Sequence, residues 1–519
     1  MVAHWRSGFR SGGAVLLGLL AAWAVMSVAP AAAQTPSARQ VTFNKDIMPI
    51  LQRSCQNCHR PDSVAPMSLL TYQEARPYAR AMKQRTAQAH TKYQRGVMPP
   101  WFIEKNIGIQ KFKSDPSLNE EEIDKIAAWA DAGAPEGDPA DLPPPLKLAS
   151  VSAWTLGKPD LIASTPPITV KGVAPDQWVN LFDCCSAIEG APTEDRYIAS
   201  AEYKETPLSG PRTRKEDGTV GSLWVIHHTG AAITDGPPAE GSERRYRLTT
   251  HEVGRNAVVL PADAAVPLKV GSQVEWSQFH LHSPGVPGAD VISKFNVGLK
   301  LHPRGYKPKY EMVSYSSFGN TELEIAAGAV DQRAEAYFVA PRPMKLVNFE
   351  PHMHADGVRK CLQAIYQRSV ETLNCAGYDH NWVRDYQYED DYMPLIPKGT
   401  ILKVTAWFDN SAANANVIEP RNQANWGRRS VVNMLIMFND GILLTDEQYE
   451  QELAKRREYL DRTNGWDTLI GCPGCWERPT PQSTRRSAPA GKDVKIPSLS
   501  QGASSEVPEL PNIGSTAVD

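Results

Sequence analysis

Between residue 146 and about residue 440 the chain is a succession of short β-rich runs. Those at 224–227, 274–282, 345–349 and 401–408 are set apart by clusters of Pro, Gly, Asn and Asp. Side chains on a strand alternate faces, and Pro or Gly ends a strand by removing a donor or admitting a turn. That rhythm predicts antiparallel β-sandwich material. A stretch of roughly 300 residues exceeds one small sandwich of about 100. Two tandem jelly-roll-like sandwiches are therefore expected, over residues 151–320 and 321–445.

The flanks read differently. From Val41 to Pro135 the pattern is helical: Ile47, Ile50 and Leu51 share a face. Asn119 and Glu122 fit a capping pair, Ile123, Ile126, Ala127 and Ala130 form the following apolar stripe, and Gly133-Ala134-Pro135 stops it. A small all-α domain is expected over 41–138, joined by a Pro-rich linker at 139–150. Near the other end, 447–460 reads as a helix capped by Thr445, in a segment 446–477 that carries Cys472 and Cys475. The tail 478–519, rich in Ser, Pro and Gly, is expected to be disordered.

The first residues set the compartment. His4, Arg6 and Arg10 precede an apolar run from Ala14 to about Ala29, and Ala31-Ala32-Ala33 follows. This is the order of a secretory signal, so 1–33 is expected to be removed and the mature protein to be periplasmic or secreted. No later run approaches the ~20 apolar residues that span a bilayer. A net charge of −3 offers no basic surplus for nucleic acid. In an oxidising space the eight cysteines acquire roles. Cys361 and Cys375 flank a hairpin and should bridge; the adjacent Cys184 and Cys185 are expected to reach elsewhere, with Cys472 or Cys475 as candidates.

Cys55-Gln56-Asn57-Cys58-His59 is the c-type haem attachment motif. The two thiols add to the haem vinyl groups, and His59 lies beneath the iron as axial ligand. The competing readings are a zinc knuckle and a redox dithiol, but no second Cys pair follows at zinc spacing. Covalent haem c and a cytochrome c domain over 41–138 are thus expected. For the sixth ligand Met98, in Val97-Met98-Pro99-Pro100-Trp101, is preferred because the two prolines fix an extended loop; Met67 and Met82 are rivals.

Histidines cluster in the β-region. His227-His228 are adjacent, while His280-Leu281-His282 and His352-Met353-His354 each place two imidazoles at i and i+2. On a strand such a pair points to one face and converges on one ion. Adjacent histidines point to opposite faces, so both serve one ion only if the strand bends, as Thr229-Gly230 would allow. Imidazole sites suit copper, zinc, iron or nickel, and a thioether shifts preference toward copper. His90, His251, His302 and His380 read as structural or surface residues.

Together these segments resemble the copper type II monooxygenases related to peptidylglycine α-hydroxylating monooxygenase and dopamine β-monooxygenase. That family has two tandem β-sandwiches with one copper each. The resemblance implies two copper ions: the first on His227, His228 and His282, the second on His352, His354 and Met434, the Met that follows Trp426-Gly427. Asp409-Asn410-Ser411, Thr193-Glu194-Asp195-Arg196 and the Met-Pro-Pro-Trp segment look like those of bacterial relatives with a fused cytochrome. Two departures stand out. His280 occupies a position often held by Gln, as an extra ligand or a hydrogen-bonding group, and Met437 rivals Met434.

The resemblance implies O2-dependent hydroxylation of an activated C–H bond in a small organic substrate. His352, His354 and Met434 would hold the reacting copper, and electrons would come through the haem from a periplasmic donor. The alternative is a non-catalytic electron-transfer or copper-binding haem protein. A third reading is a binding module with degenerate sites.

Overall fold

The computed structural model describes residues 40–475, apart from 62, 64, 66, 89–95, 151–152, 176, 182–184, 210–224, 236–244, 253–256, 278, 428–431 and 466–468. The expected signal (1–33), the tail (478–519), His90 and Cys184 lie outside the described residues.

A first β-unit runs from Leu161 to Leu301. In one antiparallel sheet Val291–Leu301 is flanked by Leu161–Ser164 and by Arg196–Ser209, which pairs onward with Ala257–Val259 and Ala264–Leu268. In the other, Ile226–Thr234 lies between Arg245–Glu252 and the strands Gln273–Trp276 and Phe279–Leu281. The inner faces meet: Phe295 packs against Trp276 and Phe279 at 5.8 and 6.0 Å between ring centroids. Tyr203 Oη accepts a hydrogen bond from the Ala231 N–H on the opposite sheet. That is the two-layer arrangement of a sandwich.

The second unit repeats the plan. Leu435–Leu443 pairs with Tyr310–Gly319 on one side and with Met344–Leu346 and Asn348–Met353 on the other. The second sheet is ordered Gln332–Val339, Ile401–Phe408, Gly357–Ile365, Val370–Gly377. Every residue of Asn348–Met353 is buried, so this strand runs through the middle of the unit. Tyr310–Gly319, inside the span expected for the first sandwich, pairs with the second, and it also meets Ala264–Leu268 of the first in parallel. One continuous apolar core spans both units.

The expected fold class, a small all-α cytochrome c domain ahead of the sandwiches, is not what the chain forms. The protein is mostly β, and the described residues of region 41–138 include four short α-helices, Met48–Ser54, Tyr72–Ala75, Ala79–Thr86 and Glu120–Asp131. The reason lies in where its apolar residues go. Trp101, Ile103, Ile109 and Phe112 are buried in the core of the β-body. The chain carrying them is extended and bonds to the edge strand Val370–Gly377: Glu104 N–H donates to Cys375 O at 2.9 Å, Gly377 N–H to Phe102 O at 3.0 Å, and Ile109 N–H to Leu373 O at 2.9 Å. Pro99 and Pro100 remove the donors a helix would need there. What stays with the helices is a small separate cluster around Phe43, Ile47, Leu51, Ile126 and Trp129. The capping pair is formed as expected, Asn119 Oδ1 accepting from Glu122 N–H at 2.9 Å and Glu122 reciprocating.

The helix Asp446–Thr463 is capped by Thr445 and lies against the second unit, where its Glu452 accepts from Lys345, Lys309 and Tyr310. Cys361 bridges Cys375 directly across a strand pair. Cys472 bridges Cys475, so neither is the partner of the disulfide-bonded Cys185, contrary to expectation. Among the described residues no helix is long and apolar enough to cross a membrane.

Candidate metal centre

The strand pairing explains how adjacent histidines part company. His280 stands opposite His228, but the next pair is Leu281 with Ile226, so His227 is the extra residue of a β-bulge. A bulge re-aims its side chain, and it falls at His227 itself, not at Thr229-Gly230. His227 thereby joins His280 and His282, which share a face at i and i+2. Ring centroids lie 5.0 Å apart for His227 and His280, 4.1 Å for His227 and His282, and 4.5 Å for His280 and His282. One ring nitrogen from each lies within 4.8 Å of the others, the only such group of His, Cys, Asp or Glu among the described residues.

His228 is not in that trio. Its Nδ1 lies 3.1 Å from the His251 carbonyl, and its ring faces His352 of the second unit at 6.3 Å. Burial first, then His280 and His251, pushes it down to about 3. Burial, and after it His282 and His280, holds His227 well below the ordinary histidine range. Both are therefore neutral at neutral pH, the form that ligates metal.

His352 is central in the second unit, opposite Ile436. Opposed residues share a face, so continuing the alternation puts Met434 on the His352 and His354 side. Met437, opposite Pro351, is on the other face and fully buried in the main core. The structure thus separates the two candidate methionines. The rings of His352 and His354 are 5.4 Å apart. His354 Nδ1 is 2.9 Å from Val432 O, a contact that fixes the orientation of the ring. His352 Nδ1 is buried without a hydrogen-bond partner among the described residues. Burial, then His354 and His228, lowers its affinity for a proton well below the usual value. The fully buried Lys360 fixes the strand by donating Nζ to His352 O at 2.5 Å and to Ile436 O at 2.6 Å. Two buried imidazoles, one with Nδ1 held by a carbonyl and one with Nδ1 orphaned, fit a soft-to-borderline divalent or monovalent metal such as copper.

Two residues at the junction carry no motif. Trp178 stands opposite His280 across the pair Gln177–Val179 and Phe279–Leu281, and its ring stacks on His280 at 4.4 Å. His380, expected to be structural or surface, lies 6.0 Å from His280 and 5.8 Å from His354. Next to it, the Asn381 backbone hydrogen-bonds His227. Nothing in their local sequence marks them, because strand pairing within the first unit places Trp178 and the second unit contributes His380. Of the other histidines, His251 Nε2 lies 3.0 Å from Ile226 O, while His302 stacks on Tyr306 at 3.7 Å. In the Asp409-Asn410-Ser411 turn Asp409 and Asn410 are buried: Asp409 Oδ1 accepts from the Ser411 N–H, Ser411 Oγ accepts from the Ala413 N–H, and Asn410 Nδ2 donates to Ala326 O.

Cys55 and Cys58 are free thiols. Burial, helped by Cys58, pushes Cys55 up to about 12; burial also raises Cys58, against the pull of Arg384 and Arg60. Cys55, Cys58 and His59 are not among the groups whose ligand atoms converge as a zinc site requires, among the described residues. His59 Nδ1 faces the Met67 carbonyl at 3.3 Å, the orientation that frees Nε2 for an iron. These features fit covalent haem. Met82 is buried in the helical cluster, and the segment bearing Met98 is tied to the β-body where Arg384 Nε donates to Pro100 O at 2.9 Å.

No family model and no curated protein matches the chain. Solved structures match parts of it. The PBSX exported protein XepA is 7% identical, covering 52% of this chain and 92% of its own, at a TM-score of 0.12. The insecticidal delta-endotoxin Cry8Ea1 of Bacillus thuringiensis is 8% identical, covering 48% and 53%, at 0.14. The VP2 subviral particle of infectious bursal disease virus is 11% identical, covering 58% and 76%, at 0.16. Superpositions this poor carry nothing over, so function rests on the site's own residues.

Proposed function

We propose that the protein is a periplasmic or secreted copper-dependent monooxygenase that uses O2 to hydroxylate an activated C–H bond of a small organic substrate. The observation that carries the reading is the convergence of His227, His280 and His282 within 4.8 Å, beside a second imidazole pair, His352 and His354. In this reading His227, His280 and His282 hold one copper, with His228 turned toward the other site. His352, His354 and Met434 hold the second. Copper at such nitrogen and sulfur donors supplies one-electron chemistry toward dioxygen.

The chain's own groups do the rest. The bulge at His227 and the register of His280 position two of the first ligands, and the His282 N–H donating to Val225 O at 2.9 Å ties down the third. Phe438 packs edge-on to His352 at 5.3 Å. The thioether of Met434 favours the reduced ion. Cys55, Cys58, His59 and Met98 would hold a covalent haem, which would supply one-electron transfer from a periplasmic donor. Arg384 Nε donates to Pro100 O at 2.9 Å and so ties the segment that carries Met98 to the β-body. The disulfides Cys361–Cys375 and Cys472–Cys475 suit an oxidising compartment.

The test is isotopic. Copper-loaded protein, a reductant and 18O2 are incubated with a panel of small aromatic and aliphatic substrates. A product that gains one 18O atom, disappears with a copper chelator and returns with copper is expected. If copper and haem bind yet no substrate gains label, a non-catalytic electron-transfer or copper-binding role replaces this one.

A further inference from the structure

We propose that Trp178 is the electron relay between the two histidine sites; the inference rests on the reading of those sites as copper sites. Four histidine rings surround its indole. It stacks on His280 at 4.4 Å with 15° between planes, meets His228 edge-on at 5.4 Å, and lies 6.1 Å from His354 and 6.2 Å from His380. It therefore touches a ligand of the first site and approaches a ligand of the second.

The placement is built into the sheet. Trp178 and His228 flank His280 on neighbouring strands, so all three rings are carried on one face, the face turned to the second unit. Packing alone does not favour tryptophan there. Its indole N–H is buried without a hydrogen-bond partner among the described residues, a cost that phenylalanine would avoid. What indole adds is a large, readily oxidised π-system in contact with a ligand ring.

Trp178 passes one electron from the ion at His227, His280 and His282 to the ion at His352, His354 and Met434. The donor ion loses one electron, the acceptor gains one, and no bond to Trp178 forms or breaks. The electron is replaced at the first site by the external reductant acting through the haem.

The experiment uses the mature haem-bearing chain, loaded with copper and fully oxidised, as wild type, Trp178→Phe and Trp178→Leu. Copper per chain is measured first. Each protein is then mixed anaerobically with less than one electron equivalent of dithionite, and the copper signals of both sites are followed by freeze-quench paramagnetic resonance. The expected result is full copper in all three, with electron redistribution slowed about tenfold or more by Leu and within about threefold by Phe. Redistribution at the wild-type rate in a fully loaded Leu variant overturns the relay while leaving the copper sites standing. Slowing that follows copper loss, and not loss of the ring, also overturns it. A wild type that binds no copper removes the relay and the copper reading together, and the metal analysis shows this before any rate is taken.

Discussion

Replacing His280 by Ala separates the geometry seen here from the ligand set that the family resemblance implies. His280 supplies one of three nitrogens within 4.8 Å, and its Nε2 lies 3.1 Å from that of His282. Outer-shell changes alone weaken metal sites by about 10–100-fold. Loss of a direct ligand should therefore cost at least about 100-fold, or ~2.8 kcal/mol of binding. His228→Ala should behave differently. It removes a buried ring and its contact with the His251 carbonyl, costing about 2–3 kcal/mol of stability. Copper at the first site should weaken by no more than about tenfold. Isothermal titration of chelator-stripped protein with copper, on both variants and wild type, reads the two affinities. A His280→Ala protein that keeps tight binding at the first site, beside a His228→Ala protein that loses it, would refute the assignment.

Three further outcomes follow from named groups. His228 is neutral when folded down to about 3 but takes a proton near 6.5 when unfolded, so the unfolded chain binds more protons between these values. Metal-free protein should lose this contribution, on the order of 3–5 kcal/mol, as pH falls from 6.5 toward 3; urea midpoints should show a shallower slope in His228→Asn, and an unchanged slope sinks the idea. Burial alone would raise Glu452, but Lys309 and Lys345 hold it at about 2, so its stabilisation is complete above about 4.5 and fades as pH drops toward 2. Glu452→Gln should cost about 3 kcal/mol at pH 7, since it leaves the buried Lys345 with Asp263 alone, and little at pH 2.5; equal losses at both would count against the ion pair. Cys361→Ser with Cys375→Ser opens a bridge between residues 14 apart, for an expected loss of about 3 kcal/mol in denaturant melts. A variant as stable as wild type would show that the hairpin needs no staple.

Local pattern was readable where the chain's own neighbours decide. The strand Ile401–Phe408, the caps at Asn119 and Thr445, and the Cys361–Cys375 bridge all depend on residues close in sequence or directly paired. The H-x-H pairs were readable for the same reason, because i and i+2 on a strand must share a face. Failures came where distant contacts override local texture. Helical signals around Ile47 and Ile126 suggested a separate all-α domain, yet the intervening Trp101, Ile103 and Phe112 are drawn into the β-core. Nothing near His227 announced a bulge, because the bulge is a property of its pairing with Phe279–Leu281. Trp178 and His380 acquire meaning only through cross-strand register and the docking of two units.

The proposed function requires one chain to hold two coppers beside a covalent haem. Elemental analysis of the mature protein, produced in a periplasm competent for haem attachment and washed free of loose metal, tests it directly. Two copper atoms for each haem iron are expected. Haem iron with no bound copper would contradict it, leaving the haem motif without the oxygenase chemistry built on the histidines.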